Sequence, residues 1–232
     1  MTESVPARLA SIRDRIALAC QRSGRRPGEV ILIGAAKRQS DERIRAAADA
    51  GLRDFGENLV QEAEAHHRLL SDRTVGWHLI GPLQSNKARR AAELFDWVHS
   101  IDRLKIARRL DDEARRVGRK LLGLVEVNLG AEPSKHGFAP RELAGVADEL
   151  FGFGHLAIVG LMAIPPPATD PAEVRGWFGR LRELRDQVFA GSKARPGLLS
   201  MGMSADFEIA IEEGATHIRI GTDLFGSRTP RP

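Results

Sequence analysis

The chain has 232 residues, 42% of them hydrophobic and 28% charged, which is enough apolar material to bury the core of one full domain. No segment approaches eighteen consecutive apolar residues, so a membrane-spanning helix is excluded, and a single cysteine, Cys20, excludes an intramolecular disulfide framework. Lys and Arg number 35 against 31 Asp and Glu, and the net charge of +4 is spread along the chain, which argues against nucleic acid as a partner.

Apolar residues at Val5, Leu9, Ile12, Ile16 and Cys20 follow helical spacing and predict an amphipathic helix over about 4–23, ended by Gly24. Charges run throughout the first 26 residues, without the apolar core of an export signal, so a cytoplasmic location is expected. Short apolar runs then alternate with helical stretches. The runs at 30–36, 53–56, 77–80, 97–100, 121–127, 158–164, 198–201 and 217–220 read as eight strands. Helical pattern or composition lies between them at 41–50, 85–94, 102–117, 140–150, 171–189 and 206–213, several closed by Gly. Regular alternation of this kind implies a parallel sheet with right-handed crossovers. Eight units without a long insertion predict an α/β fold, a single closed (β/α)8 barrel over about 30–226 with an extra N-terminal helix, all in one domain spanning 1–232. An open doubly wound sheet wants a Gly-x-Gly-x-x-Gly turn after its first strand, and residues 34–39 do not supply one.

Metal chemistry finds little support. Seven histidines show no His-Glu-x-x-His pattern, and the neighbours His66 and His67 read as a solvated helix face. Lysine is more informative, because six lysines stand against twenty-nine arginines. Lys87 and Lys105 fall on helices, Lys120 precedes a strand and Lys193 lies in a loop. Lys37 alone continues an apolar strand, at the C-terminal end where barrel enzymes place reactive groups, and Lys135 after strand 5 is the other candidate. Taken alone, Lys37 also reads as an ordinary solvated loop lysine.

Strand 8 adds a partner. Side chains alternate along a strand, so Arg219 shares a face with His217 and Gly221 while Ile218 and Ile220 point toward the helices. An inward guanidinium needs an acceptor, and two readings stand: a buried ion pair, with Glu57 or Glu126, or a bound ligand. Ser204 sits where strand 7 gives way to a helix and has the residue type of an N-cap; Gly221-Thr222 follows strand 8 in the same way. Each alone is a capping motif, but loops after strands 7 and 8 of a barrel often hold phosphate. A lysine, an inward arginine and a phosphate cup together suit pyridoxal phosphate.

Further motifs carry a resemblance: Phe55-Gly-Glu-Asn58 with Gln61-Glu62, Trp77-His-Leu-Ile-Gly-Pro-Leu-Gln-Ser-Asn-Lys87, Ser100-Ile-Asp102, Val127-Asn128 with Glu132 and Lys135-His-Gly137, Gly160-Leu-Met-Ala-Ile-Pro165, and the stretches around Ser204 and Arg219. In this order they resemble the pyridoxal-phosphate homeostasis protein family, single-barrel relatives of the N-terminal domain of bacterial alanine racemases. The resemblance implies that Lys37 is the Schiff-base lysine, that Arg219 meets the pyridine nitrogen, that Ser204, Gly221 and Thr222 hold the phosphate, and that Asn58 lines the same pocket. Ala36, Arg38-Gln39-Ser40 and Ala91 depart from the family pattern at the pocket rim and in helix packing.

The implied function is to hold pyridoxal phosphate and regulate its supply within vitamin B6 homeostasis. It implies a monomer in transient contact with cofactor-requiring apo-enzymes, with no membrane or nucleic-acid partner. An amino-acid racemase of the same barrel type competes with this reading. Related racemases take one of two bases from a tyrosine in a second domain, and this chain contains no tyrosine. A phosphate-ester isomerase would explain the cup but not Lys37 with Arg219. His78, between Trp77 and Leu79, reads as a hydrogen-bonded strand histidine rather than a base.

Overall fold

All eight apolar runs form strands in the computed structural model, which describes residues 3–132, 135–191 and 197–226. They are β1 (Ile31–Ala35), β2 (Asp54–Glu57), β3 (Gly76–Leu79), β4 (Trp97–Ile101), β5 (Leu121–Glu126), β6 (Leu156–Met162), β7 (Leu198–Ser200) and β8 (His217–Ile220). Every pair is parallel, the order follows the chain, and β8 returns beside β1, so the sheet is a closed barrel. The helices are α1 (Val5–Arg22), α2 (Asp41–Asp49), α3 (Val60–Leu69), α4 (Ala88–Leu94), α5 (Leu104–Arg116), α6 (Pro140–Phe151), α7 (Pro171–Phe189), α8 (Phe207–Glu212) and α9 (Thr222–Phe225). Lys193, placed in a loop from the sequence, lies outside the described residues.

Two register details refine the prediction. Strand β6 begins and ends two residues before the expected 158–164, because the Asp111 carboxylate accepts the amides of both His155 and Leu156 and so fixes where the strand starts. Its far end runs into Pro165 to Pro167, which cannot donate to a ladder. Within β6, Gly160 lies opposite Leu198, and a Cβ there would stand 2.1 Å from the Leu198 carbonyl oxygen. Glycine is what lets β6 approach β7 so closely. The helix expected at 85–94 opens with a 3-10 turn, Ser85–Lys87, before α4. Arg90 on α4 binds Glu64 and Glu93, so its charge is balanced locally.

The strands divide their side chains between two cores. Phe55, Leu79, Val98, Ile218 and Ile220 join the layer packed under the helices, while Leu124, Val159 and Met162 fill a smaller cluster with Trp97 and Leu122 inside the barrel. Helix α1 stays outside. Its buried stripe of Leu9, Ile12, Ile16, Ala19 and Cys20 belongs to the outer core, and α1 packs on α8, α9 and α2. Arg15 then joins Glu208 on α8 and Asp223 on α9, at 2.7 and 2.9 Å, and Arg25 Nη1 donates to the carbonyls of Ile211 and Ala215. Among the described residues, no helix is long and apolar enough to cross a membrane.

Candidate functional site

The C-terminal ends of the strands surround a cavity of about 360 Å³. All six predicted site residues line it: Lys37, Asn58, Ser204, Arg219, Gly221 and Thr222. Strand phase explains the convergence. Lys37 continues the inward series Ile33, Ala35 just past β1; Arg219 and Gly221 continue the series of His217 on β8. Because Ile33 sits opposite Arg219 in the β1–β8 ladder, the amine and the guanidinium belong to neighbouring strands.

Arg219 is buried, and it has no carboxylate partner among the described residues. Its Nη1 donates to Ser200 Oγ at 2.6 Å and its Nη2 to the Ala163 carbonyl at 3.0 Å. The ion-pair alternative with Glu57 or Glu126 is therefore not realised. Glu57 turns outward to α3 instead, and Glu126, whose carboxyl is pushed up by burial and by Asp102, makes no bond to Arg219. Burial brings the Arg219 guanidinium down to about 10, against the opposing pull of Asp206 and Glu126, which still leaves it charged at neutral pH. A buried cation whose protein partners are one hydroxyl and one carbonyl retains donors for something else.

The loops after β7 and β8 meet at a hydroxyl. Ser204 is not the N-cap of α8, as its residue type suggested; Asp206 holds that position, and its Oδ1 accepts the Met203 amide at 2.6 Å. Ser204 Oγ instead accepts the Asp223 amide at 3.4 Å, across the cavity edge in the first turn of α9. The reason is spatial: β7 pairs with β8, Ser200 lying opposite His217, so the loop that leaves β7 runs on beside β8 and brings Ser204 to the start of α9. Gly221 does occupy the N-cap of α9. The amides of Ser204, Ala205 and Thr222 have no acceptor among the described residues. A Cβ on Gly221 would come no closer than 3.6 Å to the protein and would occupy the cavity.

Lys135 stands apart. It lines an adjoining recess of about 240 Å³ that shares Asn58, Ile80 and Ile164 with the main cavity. Its Nζ pairs with Glu132 at 2.7 Å and donates to the Pro165 carbonyl at 3.3 Å. Asn128 holds that loop in shape by bonding Glu132 through both side-chain atoms and donating to the Lys135 carbonyl. Lys37, half-buried, has no hydrogen bond or ion pair among the described residues. Of the two candidate lysines, the amine left without a partner is the one at the end of β1.

Sequence reasoning missed several contributors. Ile80, Ile164, Met203 and Ala205 complete the lining beside Gln39, which the sequence places at the pocket rim, with Ile164 and Met203 about 40% exposed at the mouth. Ser200 and His99, which sit under Arg219, were also missed; period-two alternation on β7 and β4 was the signal that pointed both inward. His66 and His67 are a correction. They are not a solvated face: His66 is buried with Nδ1 2.5 Å from Glu57 Oε1, and His67 stacks on Trp77 and bonds the Leu94 carbonyl. Helix α3 lies with that face against β2 and β3, which the two polar neighbours concealed.

Known proteins match this geometry along nearly the whole chain. A family model described as the N-terminal domain of alanine racemase covers residues 9–229. A pyridoxal phosphate homeostasis protein of Pseudomonas aeruginosa is 46% identical over 226 residues, 97% of this chain and 96% of that one. The chain belongs to the pyridoxal phosphate homeostasis protein family. A further member, from Escherichia coli K12, is 43% identical over 95% of each chain. Among solved structures, PipY of Synechococcus elongatus with pyridoxal phosphate bound superposes with a TM-score of 0.82 at 41% identity, covering 93% of this chain and all of that one. An alanine racemase of Clostridium difficile, at 13% identity and a TM-score of 0.73, shares the fold over 94% of this chain and 56% of its own.

The Glu57–His66 bond closes the end of β2, immediately before Asn58 enters the cavity, and it carries a pH signature. Burial pushes the Glu57 carboxyl up; burial is also the largest single effect on His66 and pushes it down, but the hydrogen bond to Glu57 and the charges of Glu57, Asp41 and Glu62 together outweigh it and the net shift is upward. Both shifts have the sign that makes the folded protein hold the pair's proton more tightly than the unfolded chain does. The stabilisation is therefore present below the ordinary histidine value of 6.5 and is lost as pH rises through the folded value. Urea unfolding between pH 6 and 9 should show stability falling with pH, and His66→Gln should flatten that slope.

Proposed function

We propose that this chain binds pyridoxal phosphate in the cavity at the top of the barrel and regulates its supply without catalytic turnover. The observation that carries the reading is the proximity of an amine, Lys37, and a buried guanidinium, Arg219, neither of which has a carboxylate partner among the described residues. Pyridoxal phosphate brings an aldehyde that condenses with amines, a ring nitrogen that accepts a hydrogen bond, and a phosphate dianion. The residues fit each part. Lys37 supplies the amine, Arg219 the donor for the ring nitrogen, and the hydroxyls of Ser204 and Thr222 with the free amides around them the phosphate contacts. Asn58 lines the wall between the main cavity and the Lys135 recess. Family membership supports the same assignment.

Absence of turnover follows from the same groups. A guanidinium only donates, so Arg219 leaves a ring nitrogen unprotonated and weakens its pull on electrons. The chain has no tyrosine to serve as the second base of a racemase. A mouth bordered by exposed Ile164 and Met203 also leaves the cavity open to water and to exchange. The protein accordingly acts as a cytoplasmic monomer of one domain that loads and releases cofactor, in passing contact with apo-enzymes that need it.

Three measurements test this reading. Borohydride reduction of the loaded protein should fix a pyridoxyl group on the peptide carrying Lys37, and Lys37→Ala should lose the visible absorption band while remaining folded; a label on Lys135 with Lys37 untouched would overturn the assignment.

Incubation of the loaded protein with L-alanine or L-serine should give no racemisation or decarboxylation above free cofactor. Robust turnover that vanishes in Lys37→Ala would put the racemase reading first.

Gly221→Val should fill the phosphate end while leaving Lys37 and Arg219 in place. Losing two charge-assisted hydrogen bonds, at about 1.5 to 3 kcal/mol each, predicts at least about a tenfold loss of affinity for pyridoxal phosphate. Unphosphorylated pyridoxal should be affected far less, and equal losses in parallel titrations would place the phosphate elsewhere.

A further inference from the structure

The barrel interior holds a line of polar side chains that the binding reading does not use. Arg219 Nη1 lies 2.6 Å from Ser200 Oγ, and Ser200 Oγ lies 2.8 Å from His99 Nδ1. His99 Nε2 lies 2.9 Å from His78 Nδ1, and His78 Nε2 lies 3.0 Å from Asp54 Oδ1. The line crosses the lumen from β7 to β4 and reaches Asp54, the first residue of β2, at the end of the barrel opposite the cavity. Four of the five residues are buried, and Asp54 is partly exposed. Room for its carboxylate comes from Gly76, where a Cβ would stand 2.7 Å from Asp54 Oδ1.

Counting donors fixes the direction of every bond. A guanidinium cannot accept, so Ser200 Oγ accepts from Arg219 and spends its one proton on His99 Nδ1. His99 must then carry its ring proton on Nε2, which donates to His78 Nδ1. By the same step His78 carries its proton on Nε2 and donates to Asp54. The opposite direction fails at Ser200: it would accept from both Arg219 and His99, and its own proton would have no acceptor among the described residues. Burial, reinforced by the neighbouring His78, His217 and Arg219, holds His99 well below the usual histidine range, in keeping with an uncharged link.

We infer that Asp54, His78, His99 and Ser200 are positioning residues for Arg219: a one-way hydrogen-bond chain through which a carboxylate at the far end of the barrel orients the guanidinium at the cavity floor. The chain answers how a buried arginine without a direct counter-ion is held, since each neutral link is polarised in the same sense by the charge at either end. Its effect on a bound cofactor rests on the proposed binding of pyridoxal phosphate beside Arg219; the chain itself belongs to the cofactor-free protein.

His217 supplies an internal reference. Thr216 Oγ1 donates to the Leu199 carbonyl and so accepts from His217 Nδ1, 2.9 Å away, which leaves His217 Nε2 bare, buried and without a partner among the described residues. His217 therefore has the tautomer opposite to that of His78 and His99. Long-range proton–nitrogen NMR of the cofactor-free protein should find His78 and His99 protonated only at Nε2 and His217 only at Nδ1. Ser200→Ala should release His99 from its single tautomer, leave His217 unchanged, and weaken pyridoxal phosphate binding about tenfold. Asp54→Asn, which cannot touch a ligand in the cavity, should shift the absorption maximum of bound pyridoxal phosphate. Protonation of His99 at Nδ1 in the unmodified protein, or His99 signals unchanged by Ser200→Ala, overturns the chain. An unshifted maximum in a folded Asp54→Asn overturns its link to the cavity, and if that variant does not fold, the tautomers of the unmodified protein decide. Failure of pyridoxal phosphate to bind while the tautomers stand as stated would sink the binding proposal and leave the chain intact.

Discussion

The pairing of β8 with β1 is the constraint on which the site depends. Lys37 and Arg219 stand near opposite ends of the sequence, and only the parallel ladder that sets Ile33 beside Arg219 makes them neighbours. The entropy of closing so long a loop grows only slowly with length, by about 0.6 kcal/mol per doubling, so the intervening seven pairings can carry it. Closure also removes both sheet edges, which leaves the barrel ends as the places where backbone and side chains remain available.

What lies inside the closed sheet is unusual for a packed barrel. One side of the lumen is apolar, with Leu124, Val159 and Met162, while another holds Ser200, Arg219 and three histidines. Burying an arginine is costly unless its donors are satisfied. Here a hydroxyl and a carbonyl satisfy part of the guanidinium and leave it charged, and the aromatic ring of Trp97 packs beside His78 and His217. The site thus combines a dry floor that fixes one charge with a wet mouth where Ile164 and Met203 meet solvent.

Much of this was legible in the sequence because barrels announce themselves by alternation. Strand β8 showed it best: His217, Arg219 and Gly221 on one face and Ile218 and Ile220 on the other predicted both the inward arginine and its neighbours. The six site residues converge on one cavity for the same reason. Partnerships were harder to read, since they depend on which strands lie opposite across the lumen. Nothing local to Ser200 or His99 says that they meet, and nothing local to Ser204 says that its hydroxyl serves α9 rather than α8. The pair His66 and His67 misled through residue type: two polar side chains on a helix look solvated until the facing strand is known to carry Glu57.

Arg15 on α1 has a mechanical meaning beyond its two ion pairs. One branch of its guanidinium grips Glu208 on α8, the other Asp223 on α9, and its plane rests on the Phe207 ring at 4.4 Å. These short helices begin directly behind Ser204 and Thr222, the two hydroxyl-bearing walls of the cavity. A single side chain on the outer surface therefore ties the two helices behind those walls together, like a clasp added to the Ser204–Asp223 bond between the walls themselves. The N-terminal helix, although it adds no residue to the lining of the cavity, is in this sense a brace for two of its walls.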